Sequence, residues 1–218
     1  VRSPAPTLVF AAGALLAAAP CARAQDGDPP PPEGWVVRPD HGSADGIHFM
    51  EMPPGFHITS GQAAIFYDPR RTAAGTFRVE SEIFLFDPGA RNESFGVFIG
   101  GRDLAGGGQT YLYFLIRGDG ATLVKRREGT ETTILRVWRR YDAVESWPER
   151  EEGAATARNV LAVEAGAGEL VFFVNGTEVA RIPRAGEPVD GVVGIRVNDG
   201  LDLHVTSLDV TALDGPGD

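Results

Sequence analysis

GELVFFVNGTEVARIPRAGEPVDGVVGIRVNDGLDLHVTSLDVTAL, residues 168–213, is the stretch that decides the fold. It opens on an apolar run at 170–174, followed by Asn175-Gly176 and a second run at 178–182. Asn-Gly between two β-rich runs signals a hairpin, because a type I′ turn needs φ > 0 at both central positions. Two further runs follow at 192–197 and 203–210, with Asn198-Asp199-Gly200 between them. The spacing predicts four short antiparallel strands that close a β-sandwich.

The rest of the chain repeats this grammar. Candidate strands lie at 46–52, 56–59 and 63–67, the last ended by Asp68-Pro69. The longest alternating run is TFRVESEIFLF at 76–86, with Phe77, Val79, Ser81, Ile83 and Leu85 on one face and Arg78, Glu80, Glu82, Phe84 and Phe86 on the other. Strands at 95–99, 110–117, 121–127 and 132–138 follow, with a glycine-rich loop at 100–108 and a second hairpin turn at Asp119-Gly120. Residues 139–158 form a long irregular insertion before 159–164 restarts the sheet. About a dozen short strands without sustained helical periodicity predict an all-β fold: a two-sheet antiparallel β-sandwich of jelly-roll type. No repeat at a fixed period argues for a propeller or solenoid.

Length and charge narrow the class. The chain has 218 residues, 43% of them hydrophobic, enough for one core. Domain organisation reads as a signal peptide at 1–24, a proline-rich linker at 25–33, one sandwich at 34–213 and a tail at 214–218. Arg2, the apolar stretch 8–19 and Ala22-Arg23-Ala24 form the three parts of a cleavable export signal. Its apolar part is shorter than the roughly 20 residues a spanning helix needs, and no other run approaches that length. The expected location is therefore periplasmic or extracellular. Cys21 is the only cysteine and falls inside the signal, so the exported part must be held by packing alone. Beyond residue 24 the chain carries 18 basic against 30 acidic residues, a net −12 that argues against nucleic acid or an anionic membrane as partner.

Several residues carry candidate chemistry. Glu80 and Glu82 share a strand face, with Cβ atoms about 6.5–7 Å apart, a spacing that could serve glycoside hydrolysis; the plainer reading is an outer face salt-bridged to Arg78. Tyr111 and Tyr113 share a face opposite Leu112, Phe114 and Ile116, and such pairs can stack sugar rings. Arg196 and Asn198 alternate with Val193, Ile195 and Val197 and could donate to hydroxyls or a carboxylate; the plainer reading is a solvated edge. Trp138, Tyr141 and Trp147, with Arg139 and Arg140, form an aromatic and basic group in or beside the long loop. One reading makes them a binding rim; the other has Trp138 capping the core and Trp147 pinning the loop. The four histidines show no metal spacing, and no cofactor is expected.

Three segments together resemble a known superfamily: TFRVESEIFLFDPGARNESFGVFIGG at 76–101, TYLYFLIRGDGATLVKR at 110–126, and NVLAVEAGAGELVFFVNGTEVARI at 159–182 with the run that follows. Their order is similar to the concanavalin A-like lectin/glucanase superfamily, above all to laminin-G-like domains and the bacterial 3-keto-disaccharide hydrolase domain. The marker is F-x-V-N-G followed by G-x-x-G-I, here residues 172–176 and 191–195. The resemblance implies a sandwich binding carbohydrate or another cell-surface ligand on its concave face, through Glu80, Glu82, Tyr111, Tyr113 and Arg196 with Trp147 at the rim. It also admits a glycoside-type hydrolase with Glu80 and Glu82 as acid and base. The glucanase pattern E-x-D-x-x-E is not met: Glu82 stands where the middle Asp belongs, and Leu85 replaces the third acid. Calcium, which laminin-G-like domains often bind, could draw on Asp199 and Asp202, although turn acids are more often turn formers. A structural or protein-interaction module without a small-molecule site is the third expectation.

Overall fold

Period-2 alternation dominates this molecule, and each sheet buries one face through it. The computed structural model describes residues 30–213, which form fourteen strands. In order these are β1 (Val36–Pro39), β2 (Ile47–Glu51), β3 (Phe56–Ser60), β4 (Ala64–Ala73), β5 (Phe77–Leu85), β6 (Ser94–Arg102) and β7 (Thr110–Arg117). Then come β8 (Ala121–Glu128), β9 (Glu131–Arg140), β10 (Ala157–Ala165), β11 (Glu169–Val174), β12 (Thr177–Pro183), β13 (Gly191–Val197) and β14 (Leu201–Ala212). All pairings are antiparallel, in two seven-stranded sheets ordered β1-β4-β13-β6-β7-β8-β9 and β12-β11-β10-β5-β14-β3-β2. The expected jelly-roll sandwich is the observed one. The expected signal peptide at 1–24, residues 25–29 of the expected linker and the tail at 214–218 lie outside the described residues. Pro30 accepts a hydrogen bond from the Glu51 amide (3.0 Å), so the end of the proline-rich segment lies against an edge strand.

The core fills the space between the sheets. Phe77, Val79, Ile83 and Leu85 of β5 meet Phe95, Val97, Ile99, Leu112, Phe114 and Ile116 of β6 and β7. The Asn175-Gly176 turn joins β11 to β12, with φ of 49° and 80°. Of the four strands in residues 168–213, β11, β12 and β14 join one sheet while β13 crosses to the other.

Two local expectations are corrected. Asp68-Pro69 does not end β4, which runs on to Ala73. Opposite it, β13 steps from Tyr67 at Gly194 to Thr72 at Val192, so 68–71 bulge out of the ladder. A proline is tolerated there because it owes the ladder no N–H. Asp68 receives the Arg70 amide (2.9 Å) and steadies the bulge. The second correction is β1, a strand the sequence did not announce; it is short, ends in Pro39 and pairs only with β4 at the edge.

Gly194, the second glycine of G-x-x-G-I, has a steric reason. A Cβ there would stand 2.4 Å from a carbon of the Phe98 ring and 2.5 Å from the Phe66 carbonyl oxygen. The bare backbone lets Phe98 lie flat across β13. Gly194→Ala should therefore destabilise by about 3 kcal/mol, the upper part of the range for overpacking; an unshifted thermal midpoint would contradict this account.

Candidate functional site

The middle strands of the first sheet are buried on both faces. Its outer face carries a second apolar cluster of Ile65, Tyr67, Phe98, Leu104, Tyr111, Tyr113, Leu115 and Leu123, with Trp138 against it. The glycine-rich loop covers one end of this cluster. Leu104 is buried there, and Arg38 donates to the Gly106 carbonyl oxygen (2.9 Å) to hold the loop down.

Beside that loop the face opens as a cleft of about 440 Å³. Cross-strand register builds its floor. One row runs Arg196, Gly96, Leu115, Leu123 across β13, β6, β7 and β8. The next runs Gly194, Phe98, Tyr113, Lys125. Gly96 has no room for a side chain, since a Cβ would stand 2.1 Å from the Phe114 carbonyl oxygen. The floor is therefore low between Arg196 and Leu115.

Asp40, from the loop after β1, binds the cleft together. Arg196 donates to both its oxygens (2.7 and 2.6 Å), and Arg127 of β8 reaches it at 3.1 Å. One carboxylate so ties strands that have two others between them. Burial would raise the Asp40 pKa, but the bonds from Arg196 and the charges of Arg196 and Arg127 outweigh it and hold it below the usual carboxylate range. Arg196 also donates to Asn198 Oδ1 (3.2 Å), whose amide donates to Ser94 Oγ (2.9 Å). Burial, with the neighbouring Tyr111, pushes the Tyr113 phenol up to about 12, so it stays a neutral donor. Arg117 stands 4.2 Å from the Trp138 ring centre and pairs with Asp119 (2.8 Å).

The structure divides the residues singled out from sequence. Tyr113 and Arg196 line this cleft. Tyr111 is 1% exposed and lies beneath it, more buried than a stacking platform allows. Glu80 and Glu82 belong to β5, in the other sheet, and the face expected to join 76–86 with 110–117 and 192–198 does not exist. They point to the opposite outer surface. Glu80 takes Arg78 (2.6 Å), which also holds Glu164 (2.6 Å). Glu82 takes Thr206 and Arg158 (2.5 Å); the Thr206 bond, then Arg158, lower its pKa against the pull of burial. Trp147 packs against the core with Arg150 stacked at 3.8 Å and its amide on the Gly118 carbonyl oxygen (2.7 Å). It pins the loop, while Trp138 lines the cleft. Asp202 is engaged by His57 (2.6 Å), Asp199 is exposed, and among the described residues no three His, Cys, Asp or Glu side chains converge as a metal site.

Sequence reasoning missed Asp40 and Arg127. Neither stands in a motif, and only the return of the loop over the sheet brings them to Arg196. A single acid after a short run ending in proline gave no signal.

Known structures share this architecture. A Bacillus subtilis carbohydrate-binding module, CBM66, aligns over 82% of this chain and 96% of its own, with TM-score 0.60 at 11% identity. A Bacillus subtilis protein of unknown function with a galectin-like fold aligns over 81% and 88%, also at TM-score 0.60 and 11% identity. This is the concanavalin A-like lectin/glucanase fold. The Bacteroides ovatus mixed linkage glucan PUL GH16, in complex with product, has it too, at TM-score 0.57 and 6% identity over 81% of this chain and 94% of its own. No protein-family model and no curated protein sequence matches the chain. Such identities speak for fold alone, and one fold hosts both binding and hydrolysis. Among the described residues no helix is long and apolar enough to cross a membrane.

Proposed function

We propose that this chain is an exported carbohydrate-binding β-sandwich whose ligand lies in the cleft over Tyr113, Trp138, Arg196 and Asn198. One observation carries the reading: an open cleft of about 440 Å³ sets aromatic rings beside hydrogen-bonding groups whose directions are already fixed. Sugar rings present apolar C–H patches to aromatic faces and hydroxyls to donors. Asp40 holds the Arg196 guanidinium in one plane, and Ser94 holds Asn198. Little ordering remains to oppose binding. The carbohydrate-binding module among the similar structures supports the same reading.

Hydrolysis has less behind it. A glycosidase needs one carboxyl kept protonated at neutral pH opposite a second. Of the acids at the cleft, Asp40 is held ionised by two arginines. Glu80 and Glu82 lie on the other sheet, each paired with arginine.

A glycan array on the full chain tests the proposal. Wild type should bind at least one saccharide, and Trp138→Ala should weaken that binding about 10-fold or more, the loss of one good aromatic contact. Glu80→Gln/Glu82→Gln should bind as wild type does. Glycan binding lost in the double glutamine variant and retained in Trp138→Ala would move the site to the other sheet and refute the assignment.

A further inference from the structure

The arginines of the second sheet's outer face are matched by acids. Arg78 lies between Glu80 and Glu164, Arg158 meets Glu82, and Arg181 meets Glu169 and Glu178. The cleft on the first sheet is different. Four basic side chains line it, Arg117, Lys125, Arg127 and Arg196, against the two acids Asp40 and Glu93. Asp119, just outside, takes up Arg117. Two guanidiniums on the floor, with side chains 8% and 10% exposed, share the single carboxylate of Asp40. Lys125, the only lysine in the sequence, stands beside Tyr113 in the ladder. No described residue pairs with its ammonium group.

Charge this deep calls for a partner, because a buried cation without an anion loses hydration that nothing replaces. Asp40 balances the charge of one guanidinium, not two; the Gly129 carbonyl oxygen takes the Arg127 Nε–H (2.9 Å) without adding charge, and Lys125 adds a further positive charge at the same place. The whole chain carries a net −10, so this local reversal of sign has no origin in the overall composition. A planar guanidinium fork and an ammonium, set together in one cleft, fit a small oxyanion. Aromatic groups beside them fit the ring that would carry it.

We infer that the cleft selects acidic saccharides, those bearing a carboxylate or sulfate, with the anionic group placed between Lys125 and the Arg127–Asp40–Arg196 bridge. This rests on the carbohydrate-binding reading above and names the class of ligand within it. Asp40 then has a second role. It offsets one of the two floor guanidiniums, so that the other and Lys125 stand as two positive charges against the one remaining cleft acid, Glu93.

The test is calorimetric titration of the full chain with uronate trisaccharides of several stereochemistries and with sulfated trisaccharides. Each is paired with its neutral counterpart, carboxyl-reduced or desulfated. At least one acidic member should bind about 10-fold tighter than its neutral partner, which is about 1.4 kcal/mol. That preference should fall as sodium chloride is raised from 50 to 500 mM, because the cleft is open to solvent. Lys125→Gln should reduce the preference towards parity; because Lys125 is unpaired, the variant leaves no buried acid behind. The carboxylate and sulfate arms tell the two anions apart. Neutral members binding as well as or better than acidic ones would overturn this inference and leave carbohydrate binding standing. Binding by no member of either kind would overturn both.

Discussion

Asp40→Ala should destabilise the protein by about 3–5 kcal/mol, the usual cost of removing one partner from a buried ion pair. The variant leaves Arg196, 6% exposed, and Arg127, 8% exposed, facing each other without a counter-charge. Urea denaturation followed by tryptophan fluorescence measures it; a loss under about 1 kcal/mol would mean that solvent already screens the pair. Asp40→Asn keeps the shape and one acceptor, but it loses the charge and turns an amide N–H donor towards a guanidinium N–H, so it should lose most of what Asp40→Ala loses. The bridge also sets an acid limit. Its carboxyl pKa is lower folded than unfolded, so ionised Asp40 contributes its full stability above the unfolded value of about 3.9. That contribution is lost as pH falls through the lowered folded value. The gap between wild type and Asp40→Asn should therefore be constant near neutrality and narrow only below about pH 4.

Asn175→Gly separates two roles that the turn combines. Glycine accepts the φ of 49° at least as well as asparagine, so a residue needed only for the turn would be replaced without loss. The Asn175 side chain does more. Its oxygen accepts from the Val160 amide (2.8 Å), and its nitrogen donates to the Ala143 carbonyl oxygen (2.8 Å) and to Asn159 Oδ1 (3.0 Å). Asn159 in turn grips Glu145 through the amide (2.9 Å) and the carbonyl oxygen (3.0 Å). The irregular segment after β9 is thus tied to the hairpin through side-chain amides. Three hydrogen bonds at about 1 kcal/mol each, partly replaced by water, set the expected loss near 2 kcal/mol. Limited proteolysis should then cut within 141–156 sooner than in wild type. Asn175→Asp should behave no better, because it turns an acceptor towards Ala143 and Asn159 where a donor stood. Unchanged stability and protease resistance in Asn175→Gly would reduce this residue to a turn former.

Strand faces were legible because they are local. Phe77, Val79, Ser81, Ile83 and Leu85 are buried as their alternation requires, while Arg78, Glu80, Glu82 and Phe84 face out. The salt-bridged outer face expected beside Arg78 is what Glu80 meets. Tyr113 and Arg196 lie on one face, with β6 between their strands, because each alternates with core residues of its own strand. Sequence alone leaves Trp147 open between two readings, because a tryptophan in a long loop has the same sequence signature whether it faces a ligand or packs against the core; here it packs against the core. Asp40 and Arg127 could not have been found, since what makes them a site is their meeting with Arg196, 156 residues from Asp40 along the chain.

The sequence by itself determined the class of fold, the faces of its strands and the turns between them. All three depend on dihedral preference and on period 2, which act over a few residues. Sheet membership was decided only by the tertiary structure. β5 and β13 read alike, each apolar on one face, and alternation says that a face is buried without saying against which strand. Hydrogen bonding across the ladder placed β5 in one sheet and β13 in the other. That choice carried Glu80 and Glu82 to one surface and left Tyr113, Arg196, Lys125 and Trp138 around a cleft on the opposite one.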